Sequence, residues 1–383
     1  MARSPTLAET SPSWRTLSDE ALLEATFDIF DPEKLPGVVS DLPVDYMESV
    51  LEASYNTKFT TGEFVRCIHC SKNNHYLGFV FRTQRGDRIL VGIDCGEKIY
   101  GVQFNLQQND FNAAKARRNA LLARRYIADH ANELLSFLHN LQSHPSITQF
   151  RGTRSAFMRA MPALARDVLN ACVRGGGSLS IDVQSRNIQA EIARDERLDS
   201  FEDQLAAETI TRTERKRRHR DYAEQRRRHI YQYTPSFIGT LVGQPFFLTA
   251  THTPHIQIPQ LVEAIEHALL DLSGEAPRDR NKLRSPLRAL SDSLGEIITQ
   301  METLRALQDA FSNSNLELLA RWGNARDSVG DSYESHSFML ARRPGAAGDD
   351  RGHTAQSVGY PQDYAPPNAQ AFVVYKKAVD EGL

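Results

Sequence analysis

Residues 64–101, FVRCIHCSKNNHYLGFVFRTQRGDRILVGIDCGEKIYG, interrupt a chain that is otherwise patterned for helices. Cys67-Ile68-His69-Cys70 is a CxxC knuckle, a turn tight enough for two sulfurs to reach one ion. HYLGFVFRT (75–83) and RILVGID (88–94) are two β-type segments on either side of Gln84-Arg85-Gly86-Asp87, a turn-like tetrapeptide. Leu77, Phe79 and Phe81 fall on one face of the first segment, and Ile89, Val91 and Ile93 on one face of the second. The expectation is a hairpin with one apolar side. Cys95 follows directly, and EKIYG reads as a short helical turn. A helix N-terminus lowers a thiol pKa and so favours the thiolate that a metal requires.

Zinc sites take four tetrahedral ligands of thiolate or imidazole type. Cys67, Cys70 and Cys95 supply three, because the hairpin carries the chain out and back to the knuckle. His75 is the best fourth, five residues past Cys70 at the start of the hairpin, with a distant ligand or a water as alternatives. His69 lies inside the knuckle, where its ring tends to point away from the ion. One structural Zn2+ is therefore expected. Buried free cysteines would not account for the CxxC spacing or for the strand order around it. A catalytic ion would need a nearby base, for which Glu97 is the only close residue, and no H-x-E motif precedes the cysteines.

Knuckle, hairpin, then a cysteine opening a helix resembles treble-clef and zinc-ribbon-type modules. The resemblance is confined to residues 64–101 and implies nothing about the rest. It departs from the treble-clef pattern in offering one ligand, Cys95, from the last helix where two are usual.

Outward from this module the pattern is helical, so the fold class expected is mostly α, with the zinc-stapled hairpin in the N-terminal third and one or two short further strands. Ser18 is placed to cap a helix over about 19–30, and a second short helix is expected around 46–53. Helical spacing runs from about Asp110 to Pro145, then from about Ser155 to Val173 with Pro162 as a kink or boundary. Gly175-Gly176-Gly177 stops that helix, and the run lacks the order of a phosphate loop. LSIDV (179–183) is a short strand, 187–230 a polar helical stretch, and 236–248 a buried strand or loop. Leu283, Leu287, Leu290, Leu294, Ile297, Met301 and Leu304 follow 4-3 spacing, with Phe311, Leu318 and Trp322 fitting its extension. Packing inside the chain is favoured for them over oligomerisation. Residues 342–369 are rich in Gly, Pro, Asp, Gln and Ala and read as disordered, while AFVVYKKAV (371–379) can fold back as strand or helix. The resulting division is an acidic helical N-terminal region (1–62), the zinc module (63–108), a helical region with basic clusters (109–234), a helical region with leucine heptads (235–341) and a largely disordered tail (342–383).

Composition narrows function only coarsely. The net charge of -3 predicts no strong global attraction to nucleic acid or membrane. Residues 1–62 carry 11 acidic and 4 basic side chains, so the rest of the chain is net basic. No run approaches an apolar membrane span, and a cytoplasmic location is expected, a nuclear one also being compatible with the basic stretch. The four cysteines do not make a disulfide scaffold, and Cys172 stands alone in an apolar helix. His252 and His255 have no metal-binding partner at useful spacing, and no catalytic motif is present, so the chain reads as a binding protein rather than an enzyme.

Two basic clusters remain. RTERKRRHRDYAEQRRR (212–228) holds nine Arg or Lys against Glu214, Asp221 and Glu224, and its basic residues surround the helix. Arg215, Lys216, Arg217, Arg220, Arg226 and Arg227 are its surplus once i,i+4 pairs are drawn. Lys115, Arg117, Arg118, Arg124 and Arg125 follow the zinc module. Together they suggest phosphate contacts with DNA or RNA. The alternative is a protein-protein adaptor or scaffold working through the acidic N-terminal region or the leucine heptads.

Overall fold

The computed structural model describes residues 14–71, 73–248, 254–274, 280–326, 331–343 and 354–383. Helix dominates them, with short strands in small sheets, as the patterning requires. The first helix, α1 (Asp19–Glu24), is capped by Ser18, whose Oγ accepts the Ala21 amide at 3.2 Å. It stops well short of residue 30. Phe27 is buried against the rings of Trp14 and Phe111, with centroids 4.6 and 5.3 Å away, and this cluster accompanies a turn into an extended pair, β1 (Asp28–Ile29). The helix expected over 46–53 is only a 3-10 turn at Tyr46–Glu48, followed by β2 (Val50–Asn56). Alternate burial of Leu51, Ala53 and Tyr55 overrides local propensity there.

Strands β3 (Val65–Arg66) and β4 (Asn73–His75) pair with each other, and the hairpin forms from β5 (Leu77–Arg82) and β6 (Arg88–Gly92). Phe79 faces Val91 and Phe81 faces Ile89 across it. The four-stranded order is β1-β2-β5-β6. The hairpin has two apolar sides rather than one. Phe79, Phe81, Ile89 and Val91 enter a core with Leu22, Phe27, Tyr100, Phe104 and Phe111, while Val80 and Leu90 pack with Ala53, Tyr55 and Val65. A bulge between Leu51 and Ala53 assigns β2 residues to both cores. Leu77 is 48% exposed and does not belong to the buried face.

Helix α2 (Ile93–Tyr100) opens straight from β6, and α3 (Val102–Gln142) begins earlier than Asp110. Pro162 proves a boundary, between α4 (Pro145–Ala160) and α5 (Pro162–Gly175), each opening on its proline. Gly176, at φ 55°, then takes the left-handed cap. The next segment is strand, two helices, strand: β7 (Ser178–Arg186), α6 (Ile188–Ala207), α7 (Arg212–Arg227) and β8 (Tyr231–Thr240). The strands pair antiparallel over their whole length, so 178–240 forms a two-stranded ribbon carrying a helical hairpin. Leu179 is buried and Ser180 O accepts the Trp322 indole N–H at 3.0 Å, which anchors the ribbon's base. Beyond that the ribbon is largely exposed, contrary to the burial expected over 236–248. Only Phe246 and Phe247, on the short α8 (Gln244–Phe247), and Leu241 are fully buried in that stretch.

The remaining elements are α9 (Pro254–Ser273), α10 (Arg280–Ala310), α11 (Asn313–Arg326), β9 (Ser332–Ser335), β10 (Phe338–Arg343), β11 (Thr354–Gly359) and α12 (Gln370–Asp380). Every residue of the heptad pattern from Leu283 to Leu304 is buried within the chain. Of the pattern's extension, Phe311 falls in the turn after α10, and Leu318 and Trp322 lie on the separate helix α11. Disorder over 342–369 is corrected in part: β11 pairs with β10, and the Tyr364 hydroxyl donates to Leu304 O at 2.7 Å. Residues 344–353 lie outside the described residues. The chain divides into two compact units, one of 1–142, 259–298 and 369–383, the other of 143–258 and 299–368.

Candidate metal centre and basic surfaces

The knuckle follows β3, and Ser71 N–H donates to Cys67 O at 2.8 Å to close its turn. Ile68 N–H donates to Leu90 O at 3.0 Å, which ties the knuckle to the hairpin. Cys95 lies in the first turn of α2. The three sulfurs come within 4.8 Å of one another, a group that can hold a metal ion. All are free thiols, with Cys67 buried and Cys70 and Cys95 half-buried.

Burial pushes the Cys67 thiol up, but the adjoining His75 ring and the backbone at Cys70, Gly92 and His69 outweigh it, bringing the group to about 5. Burial and the two neighbouring sulfurs push Cys95 up to about 12. Without a cation the Cys67 thiolate is favoured and that of Cys95 disfavoured, since like charges at this range oppose each other. A divalent ion removes that conflict.

His75 stands outside the 4.8 Å group but beside Cys67. Its ring lies on Gly92, where an added Cβ would come within 3.1 Å of Cδ2. Nδ1 is 3.3 Å from the Tyr55 hydroxyl, and Nε2 is buried without a hydrogen-bond partner. His69 and Glu97 are exposed. A cleft of about 760 Å³ borders the cluster, lined by Cys70, His75, Cys95, Asp94, Lys58 and Lys98 among others.

Other candidates resolve plainly. Gly176 and Gly177 take left-handed conformations at a helix stop, with Gln244 Nε2 donating to Gly176 O. His252 lies outside the described residues, and burial near Arg151 and Arg154 lowers the pKa of His255, a cationic setting unsuited to a metal.

The two basic clusters fare differently. On α3, Lys115 pairs with Asp28 at 2.5 Å, and Arg117 makes a bidentate pair with Asp19 at 2.6 Å. Arg118 lies 5.7 Å from the Phe27 ring centroid, Arg124 donates to Leu272 O and Gly274 O, and Arg125 is exposed. That cluster is mostly spent on holding its own unit together. On α7, Arg217 and Arg218 pair with Glu214, Arg226 with Asp199 and Glu202 of α6, and Arg228 with Glu224. Arg215 donates to Glu208 O. Arg212, Lys216, Arg220 and Arg227 are exposed, and no ion pair is recorded for them among the described residues. Their spacing of four, four and seven puts them on one helix face. The α7 charges that stay unpaired therefore form a stripe, although the basic residues as a whole surround the helix. The two clusters belong to different units.

The expectations from sequence give no role to Tyr231 and Tyr233, which β8 exposes by 51% and 66%, and Phe237, in the stretch expected to be buried, is exposed by 64%. Their alternation was the available signal. No protein-family model matches the chain, and no curated protein or solved structure matches it. No helix among the described residues is long and apolar enough to cross a membrane.

Proposed function

We propose that the protein is a non-enzymatic, zinc-stabilised nucleic-acid-binding protein that grips phosphates through α7. The observation that carries this reading is the stripe of Arg212, Lys216, Arg220 and Arg227, exposed on one face while the neighbouring cations are paired. A cation without an internal partner is available to phosphate, and four in a row give a strongly salt-dependent contact with little sequence preference.

The metal belongs to the same reading. Three thiolates suit zinc, and His75 completes the set in this proposal, its orphaned Nε2 turned to the ion and Nδ1 oriented by the Tyr55 hydroxyl. Zinc would tie the knuckle to the head of α2. The module is then a treble-clef-like structural support.

The test is an electrophoretic shift with DNA and RNA over a salt series, run beside metal analysis. Binding should weaken steeply with salt. Changing Arg212, Lys216, Arg220 and Arg227 to Gln should flatten the log–log slope by about three to four units on duplex DNA. No binding by the wild type at about 50 mM salt overturns the reading and leaves a protein-protein adaptor in its place.

A further inference from the structure

The outer half of the β7–β8 ribbon exposes both its faces, and they differ. Tyr231, Tyr233, Pro235 and Phe237 occupy alternate positions of β8, opposite Arg186, Gln184, Asp182 and Ser180. Side chains two apart on a strand point to the same face, at a separation of about 6.8 Å. One face is therefore a row of rings bordered by polar side chains, and the other carries Ile181 and Val183 opposite Ser236 and Thr234. Among the described residues Tyr233 and Phe237 have no recorded ring contact, and Tyr231 meets only His229, edge-on at 6.3 Å. Exposed Tyr and Phe rings suit a protein contact as well as a base stack, and charge decides between the two.

The same arm supplies the charge. Arg227, at the end of the cationic stripe, is four residues from Tyr231, so cations and rings follow each other along one continuous segment. We infer that this arm binds single-stranded nucleic acid, the rings of Tyr231, Tyr233 and Phe237 stacking on successive bases while α7 holds phosphates. The inference rests on the phosphate reading of α7 and adds the substrate class. Stacking on protein rings requires unpaired bases, whose faces a duplex keeps in its own stack, and it tolerates any sequence because every base has a π-face.

The experiment is fluorescence anisotropy of the full, zinc-loaded chain with labelled oligothymidine and with its duplex to oligoadenine, at matched salt. The single strand should bind about tenfold or more tighter than the duplex. Tyr233→Ala and Phe237→Ala should each weaken strand binding about tenfold while leaving duplex binding unchanged, and Tyr233→Phe should restore the wild-type value. All three side chains are exposed, so the variants should keep the wild-type thermal transition, checked by circular dichroism. Strand and duplex bound equally, or ring variants that bind the strand as wild type does, overturns the stacking inference and leaves the phosphate reading standing. No binding of either oligonucleotide overturns both and assigns the rings to a protein partner.

Discussion

The sheet of the first unit and the ribbon of the second use similar residues to opposite ends. In β5 and β6, Phe79, Phe81, Ile89 and Val91 fill one core and Val80 and Leu90 another, so both faces of the central hairpin are closed. In β7 and β8, Tyr231, Tyr233, Phe237 and Val183 remain exposed. Strands alone do not decide this, since both pairs are antiparallel. The first pair gains cover from α2, α3 and β2, whereas α5 and α11 pack at the ribbon's base. A hairpin closed on both faces serves stability, and one left open along most of its length is free for contact.

The largest effect expected from breaking this contrast is at the proposed metal site. Cys67→Ser with Cys95→Ser should abolish stoichiometric zinc and unfold 64–101, because the binding energy of a structural ion is also folding energy. Plasma emission analysis beside hydrogen exchange would show it, and full zinc retention in the double variant would defeat the proposed ligand set. The ribbon's thermal behaviour should not depend on the ion.

Next comes side-chain truncation. Phe79→Ala removes a buried ring and should cost about 3–5 kcal/mol in chemical denaturation. Phe237→Ala removes an exposed one and should stay within about 0.5 kcal/mol. Equal costs would erase the distinction between the two hairpins.

A smaller effect is expected at Gly96 of α2. A Cβ there would sit 2.4 Å from the ring of Phe104, itself fully buried, so Gly96→Ala should cost about 1–3 kcal/mol through forced repacking. Gly152→Ala, with open space around the added carbon, serves as the control in the same denaturation series and should not destabilise.

The gentlest probe is pH, applied where the ribbon meets its helices. Arg186 hydrogen-bonds Glu191 at 2.8 and 2.5 Å, and with the Ile230 amide at 2.9 Å it holds that carboxyl down to about 2. A depressed carboxyl stabilises the fold above its unfolded pKa of about 4.3 and loses that contribution as pH falls toward 2. Exchange protection at the Ile230 amide should therefore decline across that window, and Glu191→Gln should remove the pH dependence. Unchanged protection down to pH 2 would show that this junction does not rely on the ion pair.

Local signals in the sequence determined the helical class, the Ser18 cap, the hairpin with its turn, the break at Pro162, and the spacing that gathers Cys67, Cys70 and Cys95. Each of these follows from chemistry within a few residues or from a regular period, and the three sulfurs do converge within 4.8 Å. Tertiary structure alone decided the rest. The extended course of Val50–Asn56 comes from pairing with β5, and the early end of α1 comes with the packing of Phe27 on Trp14 and Phe111. Which cations are free was equally hidden. Arg117 meets Asp19 ninety-eight positions away and Arg226 meets Asp199 on another helix, whereas i,i+4 reasoning sees only pairs on the same helix. Exposure of the β8 rings likewise depends on what fails to pack over them, a property of the whole fold that no window of sequence contains.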